Sequence, residues 1–268
     1  MSMRDLVALV ADAKNLPRLD GLNYVSAGDM TAVFETGAWR MLQRVSRKAV
    51  LNGMVRRQSV LERLMPLGTV LPVLPGTRLD PDSMDTTWAA NAPVLAALSD
   101  RLSGQIQYQI EVHWPSDKAA IRFGWTGKGA RDHGAADLAA RVTARLYEAV
   151  GELVELPRTD DMLLNTAILM PRQDEMHLDA ALEEIDALWP DGFRIRQVGP
   201  SPAVSFGSLG FRSIQPGAVR AARRALDLSQ DADLEALTAA RRTALMEASP
   251  EVRADLKEAA AVLEAAVR

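Results

Sequence analysis

The sequence predicts an α+β protein built as two successive α+β domains followed by a small all-helical unit. Three observations carry this reading. Short β-type apolar runs or strictly alternating ones occur at residues 5–10, 22–25, 31–34, 105–114, 163–170 and 193–198. Helical patterns stand between these runs, as expected for helices packed on one face of a mostly antiparallel sheet. After about residue 213 only helical periodicity remains. The expected boundaries are 1–104, 105–212 and 213–268.

Each element has a local cause. Ala27-Gly28-Asp29 is a turn-forming group and predicts a hairpin between runs 22–25 and 31–34. From Trp39 the period becomes helical: Leu42, Val45 and Ala49 share one face, with Arg40, Arg44, Arg47 and Lys48 opposite. Asn52-Gly53 is expected to break or kink this helix before a second piece, 54–65. A short extended segment, 69–74, lies between Pro66/Gly68 and Pro75-Gly76. Residues 80–102 read as helix, with an Asp80 cap, Pro81 at the first turn, Pro93 able to split it and Gly104 ending it.

Ile106, Tyr108, Ile110 and Val112 then alternate strictly and predict a strand. Residues 121–125 read as extended, and the polar, glycine-rich stretch 126–134 as a loop. A helix is expected over 135–156, stopped by Pro157, then a buried strand at 163–170. Leu178, Ala181, Leu182, Ile185 and Leu188 make an amphipathic helix, and the last strand begins at Phe193.

Composition sets limits on function. At 48% apolar and 5% aromatic residues, the cores are expected to be aliphatic. The absence of cysteine excludes disulfides, thiolate metal sites and thiol catalysis. A net charge of −4 argues against general nucleic-acid affinity, and no apolar run approaches the ~20 residues of a membrane span. The N-terminal run is interrupted too early, by Asp12 and Lys14, to be a secretory leader, so a cytoplasmic protein is expected.

Two segments punctuated by proline and glycine stand out: Val70-Leu-Pro-Val-Leu-Pro-Gly-Thr77 and Gly199-Pro-Ser-Pro-Ala-Val-Ser-Phe206. Their backbone is tightly constrained, yet neither holds a nucleophile–base pair, a metal-ligand cluster or a phosphate cradle. In this order and on this background they resemble the gas vesicle protein GvpL/GvpF family. The residues carrying the resemblance are Leu71, Pro72, Gly76 and Thr77, then Gly199, Pro200, Pro202, Ser205 and Phe206. Leu74-Pro75 stands where the family usually has Arg-Phe, and Gln107 where an acid is common, so a divergent branch is indicated.

The resemblance implies two α+β domains, the second ferredoxin-like, without catalysis or cofactor. It also implies a factor that binds a small, very hydrophobic shell protein and other gas vesicle accessory proteins, and helps the shell nucleate or grow. The tail from Leu226 to Arg242 resembles the opening of a J domain, but Ser249-Pro250-Glu251 stands where His-Pro-Asp is needed. Stimulation of Hsp70 is therefore not expected, and a plain helical hairpin is the simpler account.

Other features carry two readings each. The basic face Arg40, Arg44, Arg47 and Lys48 is either a solvated helix face or a receiver for an acidic partner. Gly124-Trp-Thr-Gly-Lys-Gly129 lacks the spacing of a phosphate loop and reads as a connector. Asp174, Glu175, His177 and Asp179 sit where acids cap a helix rather than where they bind metal. His113 and His133 show no organised carboxylate partner in sequence, and Asp160-Asp161 reads as a solvated turn. Alternatives to an assembly factor are a co-chaperone-like protein, a small-ligand binder around 126–134, or an enzyme with an unrecognised site.

Overall fold

A computed structural model describes residues 3–13, 16–36, 47–190, 192–211, 216–229, 232, 234–249 and 252–267. The chain divides into two compact units, Met1–Gly210 and Phe211–Arg268.

The first sheet begins with β1 (Arg4–Ala11), β2 (Leu22–Ala27) and β3 (Met30–Glu35). Gly28 supplies the positive φ, +61°, that the β2–β3 turn needs. It also leaves room for an indole: a Cβ there would lie 2.2 Å from the Trp88 ring, whose Nε1 donates to Asp29 Oδ1 at 3.1 Å. Helix α1 (Arg47–Leu64) and strands β4 (Thr69–Pro72) and β5 (Arg78–Leu79) follow. The order is β2-β3-β1-β4, with β5 pairing the start of β1, all antiparallel. Central β1 is buried along Leu6–Val10 because α1 covers it through Val60, Leu61 and Leu64. Helix α2 (Met84–Leu102) packs against β2 and β4.

The second sheet is formed by β6 (Gln105–His113), β7 (Glu152–Glu155), β8 (Met162–Pro171) and β9 (Arg194–Ser201). Between them run α3 (Ser116–Arg122), α4 (Lys128–Ala149) and α5 (Glu175–Leu188). The chain order β-α-β-β-α-β with sheet order β7-β8-β6-β9, all antiparallel, is the ferredoxin-like arrangement. The apolar face of β6 meets Leu138, Val142 and Leu146 of α4 and Leu178 and Ile185 of α5. At one end of this core Trp114, Trp125, Phe123, Trp189 and Phe193 form a chain of edge and stacked contacts with ring centroids 5.2–6.1 Å apart.

The second unit holds α6 (Pro216–Ala225), α7 (Leu234–Glu247) and α8 (Arg253–Val267). Ala222, Leu226, Leu237, Leu256, Ala260 and Leu263 form its core.

Several local expectations fail for physical reasons. Helix α1 runs through Asn52-Gly53 without a break, because its C-terminal half is anchored on β1. Pro93 does not split α2; it sits exposed, on the solvent side. Residues 121–125 are the end of α3 and a turn, not an extended piece. Most of 126–134 is the first part of α4, where Gly134 admits the Trp125 indole against the helix. That helix stops at Ala149, and residues 152–155, read as helical, are strand β7 paired to β8. Asp174 makes no side-chain cap on α5.

Candidate protein-interaction site

The first punctuated segment meets the stretch that follows the second. Val73 and Leu209 lie side by side in a parallel bridge. Leu209 N donates to Pro72 O at 2.7 Å, and Leu74 N donates to Leu209 O at 2.6 Å. The stretch after the second motif thus extends the first sheet beyond β4.

Within the first segment, Leu71 and Val73 are buried and Pro72 ends β4. Gly76 (φ +84°) and Thr77 close a turn, with Thr77 N donating to Leu74 O at 3.2 Å. Thr77 O accepts from Leu6 N at 2.9 Å. Arg57 reaches in from α1: its Nη2 donates to Leu6 O at 3.1 Å, Val7 O at 2.9 Å and Val73 O. Burial pulls the guanidinium pKa down, opposed by the charges of Glu35 and Asp5.

In the second segment, Gly199 has φ +140° and lies against the Tyr108 ring, where a Cβ would be 2.6 Å from Cδ1. Pro200 continues β9, and Pro202 is buried. Gln107 accepts from Ser205 N at 2.9 Å through its amide oxygen. Phe206 O accepts from Arg101 Nη1 at 3.2 Å. The first segment is thus held mainly within the first sheet, and the second lies against Tyr108, Gln107 and Arg101, with Leu209 linking the stretch after it to Pro72 and Leu74.

Of the basic face, Arg40 and Arg44 lie outside the described residues. Arg47 opens α1, and Lys48 is exposed. A feature missed in the sequence adjoins them. Upstream of Val60, Leu61 and Leu64, which face the sheet, the first half of α1 carries a second apolar face turned to solvent. There Val50, Leu51, Met54 and Val55 are 38%, 53%, 54% and 69% exposed. The signal was present as two apolar pairs four residues apart, but it was read as part of a broken helix.

A second surface lies on α4. An open groove of about 1180 Å³ runs between α4 and the chain around 155–164. Its floor is small and apolar, with Ala136, Ala140 and Ala144 exposed at successive turns beside Ala139 and Thr143. Tyr147 and Trp114 border it. Asp132, Glu148, Glu155 and Asp160 line its rim, with Arg158 as the one basic lining residue.

The polar face of β6 carries a hydrogen-bonded cluster. His113 lies between Glu111 Oε2, 3.3 Å from Nε2, and Asp161 Oδ2, 2.9 Å from Nδ1. Arg196 Nη1 donates to Glu111 Oε2 at 3.2 Å, and Gln109 Nε2 donates to Glu111 Oε1 at 3.0 Å. Thr159 Oγ1 donates to Asp161 Oδ1 at 2.5 Å, which with His113 holds the Asp161 carboxyl below its usual pKa. His113 therefore has organised carboxylate partners, and Asp161 is tied down rather than being only a solvated turn. Each member of the cluster has a hydrogen-bond partner among the others. Among the described residues no group of three or more His, Asp or Glu is placed to hold a metal ion. No helix there is long and apolar enough to cross a membrane.

Comparison with known proteins gives concordant results. Residues 119–208 match the family model described as "Gas vesicle synthesis protein GvpL/GvpF". The crystal structure of the gas vesicle protein GvpF from Anabaena sp. PCC7120 superposes with a TM-score of 0.64 at 18% identity, covering 80% of this chain and 98% of that one. GvpF from Microcystis aeruginosa gives 0.60 at 20% identity, covering 77% and 99%. No curated protein matches by sequence.

Proposed function

We propose that the chain is a member of the GvpL/GvpF family of gas vesicle synthesis proteins and a non-catalytic accessory of gas vesicle assembly, a reading supported by the family-model match over residues 119–208 and by the fold shared with two GvpF structures. It works in the cytoplasm, at growing vesicles and beside other accessory proteins. Its task is to hold the small hydrophobic shell subunit before that subunit enters the shell.

The observation that carries this reading is the uncovered face of α1. Val50, Leu51, Met54 and Val55 form one contiguous apolar patch next to Lys48 and Arg56. Soluble proteins seldom leave such a patch bare unless something docks on it. Covering the exposed part of each side chain is worth on the order of 1 kcal/mol. Four together contribute about 4 kcal/mol before the cost of association, so a micromolar affinity of about −8 kcal/mol needs further contacts beside this patch. The bridge between Val73 and Leu209, with Arg57 of α1 donating to Val73 O, ties α1 to a fixed base.

Co-expression with a hydrophobic gas vesicle shell subunit tests the proposal. The full-length chain should co-purify with it, and the double variant L51D/V55D should lose it while keeping its circular dichroism spectrum. Failure of the unaltered chain to retain the subunit would overturn the reading.

A further inference from the structure

We infer that the α4 groove is the docking site for helix α1 of a second copy of this chain, joining copies head to tail. Both halves of this contact are present on one molecule, and they differ in the ways that make them complementary.

The groove has a floor of alanines that lets another helix approach closely, walls of Trp114, Tyr147 and Met162, and a mostly acidic rim. The N-terminal half of α1 offers large apolar side chains where the groove offers small ones. Exposed Lys48, and Arg56 (whose Nε is 3.5 Å from Glu35 Oε1), lie beside those side chains and are opposite in sign to Asp132, Glu155 and Asp160. The lengths also agree. From Asp132 to Glu148 α4 runs about 24 Å, and the α1 segment 48–59 about 17 Å, at ~1.5 Å per residue.

The pairing must be between copies. The C-terminal half of α1 is fixed on β1 through Val60, Leu61 and Leu64, while α4 packs on the second sheet. Two α1 helices would not pair with each other, since each brings its own basic residues to the contact. The exposed edge strand β9 is a poorer candidate for self-pairing because Arg194, Arg196 and Pro200 blunt it. A contact between two different patches leaves one of each free on every dimer, so growth continues unless the geometry closes a ring. The contact also covers the α1 patch until a shell subunit competes for it, and in that respect it rests on the function proposed above.

The test uses the full-length chain with one variant on each side, both at exposed positions: L51D/V55D on the helix and A140W in the groove. Sedimentation equilibrium should show the unaltered chain associating with rising concentration and each variant alone remaining monomeric. An equimolar mixture of the two should form a one-to-one dimer and stop there, because each partner retains the half that the other lacks. An unaltered chain that stays monomeric, variants that associate normally, or a mixture that does not pair would each overturn the inference. Shell capture separates the two readings. If A140W abolishes capture of the shell subunit and the unaltered chain never self-associates, the groove belongs to the shell subunit. If self-association follows the expected pattern but no shell subunit is captured, only the proposed function fails.

Discussion

Val73 and Leu209 lie side by side in parallel, one inside the first punctuated segment and the other just after the second. Leu209 gives its N–H to Pro72 and takes the N–H of Leu74, so it completes the ladder that β4 leaves open. Arg57 secures the other side of the same backbone by donating to Val73 O. An edge that would otherwise be free is thereby closed by the second half of the same unit.

Leu209→Pro removes the donor to Pro72 O and clashes with a bridged geometry. A loss of about 2 kcal/mol in urea-unfolding free energy is expected. Leu209→Val, which keeps the N–H, should lose less than half as much. Equal losses in the two would show that the side chain and not the ladder matters.

Gly199→Ala places a Cβ 2.6 Å from the Tyr108 ring and 2.8 Å from Gln107 O, at a φ of +140°. The ring can shift, but the backbone carbonyl cannot. Destabilisation of about 3 kcal/mol is expected from the overlap and the strained backbone together. Ser205→Ala, a neighbouring control that leaves the backbone N–H bond to Gln107 intact, should change stability by under about 0.5 kcal/mol.

Arg57→Met leaves the carbonyls of Leu6, Val7 and Val73 without this donor and removes a positive charge near Asp5 and Glu35. About 3 kcal/mol of stability should be lost. Arg57→Lys should recover only part of this, because one ammonium group does not reproduce the reach of a guanidinium to three carbonyls. Thermal melts of the two variants against the parent decide it.

Much of the fold was legible because its causes are local. Alternation placed β6, a proline and a deep apolar run placed β8, and turn chemistry placed the β2–β3 hairpin. The errors fall where tertiary packing outweighs local signals. Gly134 reads as a loop former, yet it is a helix position kept small for Trp125. The short strand β7 carries only Glu-Leu-Val-Glu and forms because β8 offers it an edge. The motifs were visible, but the pairing of Val73 with Leu209 was not, since nothing in either stretch encodes so distant a partner. The exposed half of α1 was hidden for a related reason: its apolar residues look like core until one sees that only Val60, Leu61 and Leu64 face the sheet.

Asp161 should titrate below the ordinary carboxylate value of 3.8, held there first by the Thr159 hydroxyl and then by His113. The sign follows from the depressed pKa: this support is complete above the ordinary value and is lost as pH falls through the lowered one. Thr159→Val should move the Asp161 titration upward in carbon-detected NMR. An unchanged midpoint would show that the hydroxyl contributes nothing.

Tyr108 provides the alkaline counterpart. Burial, the hydrogen bond its hydroxyl donates to Glu175 Oε1 at 2.9 Å, and the charges of Glu175 and Asp179 push its pKa up to about 12. The phenol stays neutral in the folded chain after it has begun to ionise in the unfolded one, near 10. Below pH 10 both states hold the proton, and stability is unaffected by this group. Between 10 and about 12 the unfolded state gives it up more readily, so folding stability falls as pH rises. Tyr108→Phe removes this contribution and should flatten the decline over that window, although it costs some stability at neutral pH through the lost hydrogen bond. Unfolding curves at pH 9, 10 and 11 compare the slopes, and parallel slopes for parent and variant would place the alkaline sensitivity elsewhere in the chain.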